Sequence, residues 1–395
     1  MNKLKHIGLF ILLIYSFTGF AQNLNIKELK PFILIEKGDY NQAKILLDQL
    51  IKENPKQEFQ MAKIEVLYKL KQYQEAIFLC KKVDRQSTSY SSVCRMLIYK
   101  ELGDNENFEL SLHENLSSQY KIPLYDLLTK EDFADFQSDI LNKNTYSDVE
   151  KQLYQVENLV QSHNYSQALF LIDEIISRNP TNADAYFLQS KISYFLKDYR
   201  KSNFAIDKAI SLERSKTEFY RQKANVNIKM KNYSVALENT DRLIRKDPYV
   251  LENYILKLNV LVLNSAYVQA VNISNSILEL SPENVEVLQL NSKAYFKTGD
   301  NLSALKSINK VLEIEQSKEA YEIRGDIYMA TNTYKFAVFD YSMYLDIEPY
   351  NGEVYAKKGF ARLKLGDQKG ACSDWTKAKR YGSYEAVKYI ERYCK

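Results

Sequence analysis

Apolar and polar positions recur along this chain at an interval of 34 residues. In the middle of the chain, each interval contains a tyrosine that is followed three positions later by a small residue. The tyrosines are Tyr165, Tyr199, Tyr233 and Tyr267, and the small residues are Ala168, Ser202, Ala236 and Ala270. The small positions continue at Ala304, Ala337 and Ala371, and earlier copies are Ala43 and Ala76. A fixed interval of this kind indicates a repeat architecture.

Each interval contains two stretches with the apolar spacing of an amphipathic helix. In the unit that begins at Gly352, Gly359 belongs to the first stretch, Ala371 to the second, and Gly366-Asp367 to the turn between them. Small residues are expected where two helices cross, because they let the backbones approach closely. Since neither helix can bury its apolar face alone, the units must stack. The sequence therefore predicts an all-α chain of antiparallel helix pairs.

These features resemble the tetratricopeptide repeat family. The residues that carry the resemblance are the aromatic-x-x-Ala steps, the turns Lys37-Gly38-Asp39-Tyr40 and Thr298-Gly299-Asp300, the pairs Arg324-Gly325 and Lys358-Gly359, and Pro55, Pro180, Pro248, Pro282 and Pro349. The match is specific from Val149 to Gly382, about 60 percent of the chain, and weaker before it. The resemblance implies a right-handed superhelical solenoid of helix pairs.

The repeat pattern divides the chain into five segments. Residues 1–21 are predicted to be a signal peptide, 22–115 divergent N-terminal repeats, 116–148 an irregular connecting segment, 149–382 the main repeat array and 383–395 a C-terminal capping helix. Pro123 interrupts the connecting segment, and Asp132 to Phe136 has no counterpart in the repeats. This segment is the candidate boundary between two arrays.

The first residues have the pattern of an export signal. Lys3 and Lys5 are basic, an apolar stretch follows, and Gly19-Phe20-Ala21 has the small-x-small spacing of a cleavage site before Gln22. The apolar stretch is about 14 residues long, shorter than the ~20 that span a bilayer, although a retained anchor is the alternative. We expect an exported protein of the periplasm or cell envelope, soluble after cleavage and similar to exported bacterial members of the family.

The four cysteines of an exported chain favour disulfides. Cys80 and Cys94 are equally distant from Ser87, and Cys372 and Cys394 are equally distant from Ser383. Residues equally distant from a turn meet across a helical hairpin, so both pairs are predicted to be bonded. Buried thiols or a zinc site are the alternatives, and zinc is disfavoured because neither pair has metal-ligand spacing. The C-terminal pair also resembles the end of many exported family members, which implies a capping role.

Charge and motifs exclude several classes of function. Removal of Lys3 and Lys5 lowers the formal charge from +4 to +2, which is too small for a nucleic-acid interface. The chain has no nucleophile, phosphate-loop or zinc-protease motif, and His113 and His163 are the two histidines after the signal. We therefore expect a non-enzymatic protein with no cofactor and no metal.

In the family, the fifth and ninth positions of each first helix line a concave groove and contact a protein or peptide partner. The resemblance assigns to this groove Phe187, Lys191, Arg221, Asn225, Ile255, Asn259, Gln289 and Lys293, followed by Glu322, Asp326, Ala356 and Phe360. We expect Arg221, Asn225, Asn259 and Lys293 to form one strip that binds a partner segment. A row of apolar residues lies one helical turn after the groove positions, and we expect these residues to pack against the neighbouring repeat. The row consists of Tyr194, Ile228, Val262, Phe296, Met329 and Leu363.

The leading hypothesis is an exported scaffold that binds a protein or peptide segment in its groove and takes part in assembly of the envelope or of secretion machinery. One alternative is an enzyme, or an enzyme subunit, with its site in residues 116–148. Another is a module that binds cell-wall glycan, in which groove tyrosines would stack on sugars. Loss of binding on truncation of residues 116–148, compared with loss on changing groove residues, separates these hypotheses.

Overall fold

The computed structural model describes residues 26–83, 89–117 and 146–394. Within these ranges the chain forms twenty-one helices and no strand, which confirms the prediction of an all-α repeat solenoid. The helices are α1 Ile26–Glu36, α2 Tyr40–Glu53, α3 Gln57–Lys69, α4 Tyr73–Val83, α5 Ser89–Glu101, α6 Asn105–Ser117, α7 Asp148–Gln161, α8 Tyr165–Arg178, α9 Ala183–Phe195, α10 Tyr199–Leu212, α11 Thr217–Lys229, α12 Tyr233–Lys246, α13 Leu251–Leu263, α14 Tyr267–Leu280, α15 Val285–Thr298, α16 Asn301–Ile314, α17 Lys318–Ala330, α18 Tyr334–Ile347, α19 Gly352–Lys364, α20 Gln368–Arg380 and α21 Tyr384–Tyr393.

A residue in the left-handed backbone region ends the first helix of each described pair from α1 to α20. Two examples are Gly299, with a φ of 91°, and Lys197, with a φ of 64°. In nine of these ten pairs the second helix then begins after a polar residue, and several of these residues act as N-caps; the exception is α14, which follows Ala266. Asp300 accepts a hydrogen bond from the backbone N–H of Ser303 at 3.0 Å, which satisfies a donor that the helix itself leaves open. This repeated turn lets each chain reversal use only a few residues.

The small residues of the second helices are buried at the helix crossings. Every one of the small positions that define the repeat, from Ala43 to Ala371, is 0 % exposed. Two first helices have a glycine at the crossing, which also lets the two helices approach closely. A Cβ atom on Gly325 would lie 2.7 Å from Cε1 of Tyr341, and one on Gly359 would lie 2.6 Å from Nε1 of Trp375. Close approach of the two helices therefore fixes the residue type at these positions.

The chain divides into two compact units, residues 1–257 and 258–395, and the division falls inside α13. In the first unit, one core cluster lies between α7, α8 and α9 and is built on Val156, Ile172 and Ile192. In the second unit, successive clusters follow the helix pairs and end on Trp375, which is 0 % exposed. The cores are thus local to neighbouring repeats, as expected for stacked units.

A contact between residues far apart in sequence also stabilises the first unit. The ring of Tyr249 stacks on Phe32 at a centroid distance of 4.8 Å. Its hydroxyl donates a hydrogen bond to Oε2 of Glu28 at 2.9 Å, and Lys56 Nζ donates to the same hydroxyl at 2.9 Å. The first repeats therefore pack against the turn that precedes α13. The repeat pattern contained no signal for this contact.

Close to that contact, α1 carries a carboxyl group with an unusual pKa. Burial, followed by the negative charges of Glu252 and Glu65, raises the pKa of Glu36 from 4.5 to about 7, although Lys37 opposes the change. The groups belong to α1, α3 and α13, all within the first unit or at its end. The protonated carboxyl is therefore the form that this packing favours.

One predicted disulfide is formed and the other is not. Cys372 and Cys394 are bonded and tie α21 to α20. The prediction for Cys80 and Cys94 is corrected, because no bond joins them. Both lie buried in one apolar cluster with Met61. Two residues equally distant from a turn lie opposite each other in a helical hairpin. A disulfide also needs their Cβ atoms about 3.5–4.5 Å apart, and residues can pack in one apolar cluster without meeting this condition.

Two of the predicted segments lie outside the described residues. They are the signal sequence, 1–21, and most of the connecting segment, 116–148, so both stay predictions. The predicted capping segment contains α21, Tyr384–Tyr393. Among the described residues, every helix is too short or too polar to cross a membrane.

Candidate partner-binding groove

The predicted groove residues of the first unit lie on α9, α11 and α13. Phe187 packs its ring against Phe219 of the next first helix, with centroids 5.0 Å apart. Lys191 Nζ lies 5.5 Å from the centroid of Phe187 and 3.9 Å from Oε1 of Glu157. Ile255 is 8 % exposed. In this part of the first unit, apolar groove positions therefore contribute mainly to packing between repeats.

Arg221 is held in place by a buried amide that the sequence did not single out. Its Nη2 donates to Oδ1 of Asn253 at 2.7 Å, and Asn253 Nδ2 donates to the carbonyl of Asp247 at 2.9 Å. Asn253 is fully buried. Burial lowers the pKa of Arg221, although neighbouring carboxylates oppose the change. The guanidinium is therefore oriented before a partner arrives, and Asn225 lies one turn along the same helix, half-buried.

The second unit contains the other predicted groove residues. Asn259 is half-buried on α13, and Lys293 on α15 is exposed. Gln289 Nε2 donates weakly to Oγ of Ser317 at 3.5 Å, so its amide is directed toward the start of the next first helix. Since Arg221 and Asn225 belong to the first unit, the strip predicted through both units stays a prediction.

The second unit also contains a cavity of about 480 Å³, here called the C-terminal cavity. Its walls come from the first helices α15, α17 and α19, from one residue of α18, and from the capping helix α21. The lining residues are Phe296, Asp326, Met329, Ala330, Tyr341, Glu353, Ala356, Lys357, Phe360, Glu385 and Tyr389. The groove positions Asp326, Ala356 and Phe360 thus come together with two members of the apolar row. Sequence reasoning missed Glu385 and Tyr389, because they lie beyond the last full repeat.

Ion pairs fix the polar side of the C-terminal cavity. Lys357 Nζ bridges two carboxylates, Glu322 Oε1 at 2.7 Å and Asp326 Oδ2 at 2.8 Å. The hydroxyl of Tyr341 donates to Oδ1 of Asp326 at 2.7 Å. Burial opposes the charged form of Lys357, but these carboxylates hold its pKa above the ordinary value. The lysine is therefore a paired structural cation and not a proton donor at neutral pH.

Buried polar contacts set the helices that form these walls. On the opposite side of α17, Arg324 Nε and Nη2 donate to the two carboxylate oxygens of Asp340 at 2.8 and 2.7 Å. On α20, Trp375 Nε1 donates to the carbonyl of Ala356 at 3.1 Å, directly behind the cavity wall. Both contacts join a first helix to a second helix, so they position the cavity without occupying it. Within the described residues, no three His, Cys, Asp or Glu side chains form a metal-ligand group.

The capping helix is the least regular wall, and two kinds of contact hold it. Tyr389 packs on Trp375 with ring centroids 5.2 Å apart and on Phe360 at 6.0 Å. The Cys372–Cys394 bond closes the far end of the helix. The wall that carries Glu385 and Tyr389 is therefore covalently and aromatically attached to the last repeat.

Comparisons with known proteins agree with this architecture. A family model described as a tetratricopeptide repeat matches residues 33–90, within the segment predicted to hold divergent N-terminal repeats. A tetratricopeptide repeat protein from Parabacteroides merdae is similar in structure, with a TM-score of 0.52, 18% identity, and coverage of 61% of this chain and 96% of that one. The Cut9–Hcn1 hetero-tetramer of APC/C has a TM-score of 0.51, 13% identity, and coverage of 92% and 89%. No curated protein matches the chain in sequence.

Proposed function

We propose, since the chain is a tetratricopeptide repeat protein, that it is a non-enzymatic scaffold that binds a protein or peptide segment through the first helices of its repeats. The fold suggests protein or peptide partners, because stacked helix pairs present side chains at regular spacing along one face. The observation that supports this proposal most directly is the C-terminal cavity. It is lined by groove positions of consecutive first helices and has both apolar and charged walls.

We further propose that the protein is exported and acts in the cell envelope. The basic start, apolar stretch and small-x-small site at Ala21 support export. The Cys372–Cys394 bond is compatible with an oxidising compartment. By resemblance to exported family members, the process is assembly of the envelope or of secretion machinery.

The charged residues of the described groove favour binding over catalysis. Lys357 is shared between Glu322 and Asp326, and Arg221 is engaged by Asn253. A general base or nucleophile needs an activating neighbour at hydrogen-bond distance and a pKa near the working pH. The groove groups are arranged instead as fixed contacts, which suits recognition.

The proposal is tested by capture of a partner from the envelope fraction, followed by affinity measurements on groove variants. One double variant changes Arg221→Ala and Asn225→Ala in the first unit. A second changes Asn259→Ala and Lys293→Ala in the second unit, and a quadruple variant combines them. If the partner uses these helices, the quadruple variant binds at least about tenfold more weakly, because each lost contact contributes on the order of 1 kcal/mol.

A matched control removes the same number of positive charges from exposed positions of second helices. It combines Ser234→Ala, Arg245→Ala, Asn272→Ala and Lys306→Ala, all at exposed residues. We expect the control to bind as the parent does, with unchanged circular dichroism and melting temperature. The groove variant should keep its circular dichroism, but its melting temperature falls because the buried Asn253 loses the hydrogen bond from Arg221. Equal affinity of parent and groove variant contradicts binding through this face. A loss that follows only the removal of residues 116–148 supports a site in that segment.

A further inference from the structure

The C-terminal cavity combines an apolar floor with a surplus of negative charge. Its carboxylates are Asp326, Glu353 and Glu385, and its single cation is Lys357. Lys357 already pairs with Asp326, and also with Glu322 beside the cavity, at 2.8 and 2.7 Å. Glu353 and Glu385 are both exposed at the rim. These two carboxylates therefore remain available to a cation from outside.

The surplus persists when the neighbouring charges are included. Lys364 Nζ lies 5.4 Å from the ring centroid of Phe360, which places one more cation near the cavity. With Glu322 also counted, four carboxylates face two ammonium groups. The cavity is therefore locally acidic, although residues 352–395 carry eleven Lys or Arg against five Asp or Glu.

The effect of the rim carboxylates is visible on a cavity tyrosine. Burial raises the pKa of Tyr389, and the charges of Glu385 and Glu353 raise it further. The negative charges of Glu385 and Glu353 disfavour the ionised, anionic form of the Tyr389 phenol. The same charges favour a cation that binds near this phenol. The direction of this effect agrees with the charge count.

The apolar floor is large enough for one or two side chains. It consists of Phe296, Met329, Ala330, Ala356, Phe360 and Tyr389. A volume of about 480 Å³ falls within the ~300–1,000 Å³ usual for ligand pockets. Rings and a thioether provide a surface that gains free energy when water leaves it.

We propose that the C-terminal cavity binds a large apolar side chain of a partner segment whose neighbouring residues are Lys or Arg. This inference rests on the proposed scaffold function and specifies the partner's chemistry. The apolar side chain removes the floor from water, and the flanking cations pair with Glu353 and Glu385. The Cys372–Cys394 bond attaches α21 to α20 before a partner binds. Binding therefore does not incur the entropic cost of ordering the rim.

The test is a selection on the purified full chain with a displayed library of random dodecapeptides. We expect enriched peptides to contain Phe, Leu, Trp or Met next to Lys or Arg. Synthetic peptides of the consensus are then measured by fluorescence polarisation, beside one peptide with each Lys or Arg changed to Glu and one with the apolar residue changed to Ser. Both altered peptides bind at least about tenfold more weakly if the inference is correct.

Variants of the protein locate the site. Glu353→Gln with Glu385→Gln weakens the consensus peptide about tenfold and reduces its salt dependence, since two rim ion pairs are lost. Met329→Ser also weakens binding of the consensus peptide, because it removes an apolar side chain from the cavity floor. The control, Glu313→Gln with Glu315→Gln, makes the same charge change at exposed positions of the second unit and leaves binding unchanged.

Each of the following results overturns the inference: enrichment of acidic peptides, no enrichment over the Met329→Ser variant, and equal effects of the rim and control variants. A consensus that matches residues of this chain itself also overturns it, in favour of self-binding. These failures leave the scaffold proposal standing if the captured envelope partner still depends on Arg221, Asn225, Asn259 and Lys293. Failure of that second test as well removes both.

Discussion

Gly359→Ala is a substitution for which two physical effects predict opposite signs. Gly359 lies in α19, where alanine is the better helix former by about 1 kcal/mol. The added Cβ would lie 2.6 Å from Nε1 and 2.7 Å from Cδ1 of Trp375, and 3.1 Å from the carbonyl of Ala371. Real Cβ atoms do not approach this closely, so either the indole or the helix must move.

The structure decides which effect is larger. Trp375 is 0 % exposed, donates to the carbonyl of Ala356 at 3.1 Å, and packs on Tyr389 and Tyr393. Overpacking of this kind costs about 1–3 kcal/mol, and a displaced indole also loses a hydrogen bond of about 1 kcal/mol. After the gain in helix propensity of about 1 kcal/mol is subtracted, Gly359→Ala should lower the free energy of unfolding by about 1–3 kcal/mol.

Urea unfolding provides the assay, because Trp375 is the single tryptophan of the chain and lies in the second unit. Its fluorescence reports on the last repeats, and circular dichroism reports on all helices. In a Trp375→Phe background the smaller ring leaves room, so Gly359→Ala should cost less there; both variants are followed by circular dichroism. A more stable Gly359→Ala protein, or an unchanged cost in the double variant, would refute the argument from close helix approach.

Three further outcomes are expected. Ala236→Leu lowers stability by about 1–3 kcal/mol because Ala236 is 0 % exposed, whereas Ser234→Leu at an exposed position of the same helix changes it by less than about 0.5 kcal/mol; similar losses in melting experiments argue against the repeat register. The contribution of Glu36 to the stability of the first unit is complete below pH 4.5 and is lost as the pH rises through about 7. Glu36→Gln should flatten this part of the plot of urea midpoint against pH. A plot identical to that of the parent contradicts the assignment. Reduction of the C-terminal disulfide, which closes a loop between residues 22 apart, lowers the stability of the last repeats by about 3 kcal/mol on the chain-entropy model, and Trp375 fluorescence in urea with and without reductant measures it.

The sequence predicted the fold well because each repeat applies the same local rule. A small residue such as Ala236 marks a helix crossing, and its position recurs along the chain, so register and helix type follow without knowledge of distant contacts. The left-handed turn residues show the limit of residue identity. Gly299 signals such a turn, but Lys197 adopts the same region with no glycine to mark it.

Contacts between distant segments could not be predicted from the period. Tyr249 packs on Phe32 and bonds with Glu28 and Lys56, yet nothing in the repeat pattern pairs these positions. Asn253 is similar, because its role toward Arg221 depends on the exact approach of neighbouring first helices. The repeat period determines which face of each helix is buried, but it does not determine which side chain outside the repeated positions contacts that face.

The C-terminal cavity illustrates the same division within one site. Asp326 and Phe360 are groove positions that the family resemblance identified, and Met329 belongs to the apolar row that packing was expected to cover. Met329 lines the cavity together with Phe360 of the next first helix, α19, and the wall beyond α19 is formed by the capping helix. That helix contributes Glu385 and Tyr389, whose charge and ring have no counterpart at earlier repeats. The acidic and aromatic character of this cavity therefore depends on residues beyond the last full repeat, which the period of the repeats cannot predict.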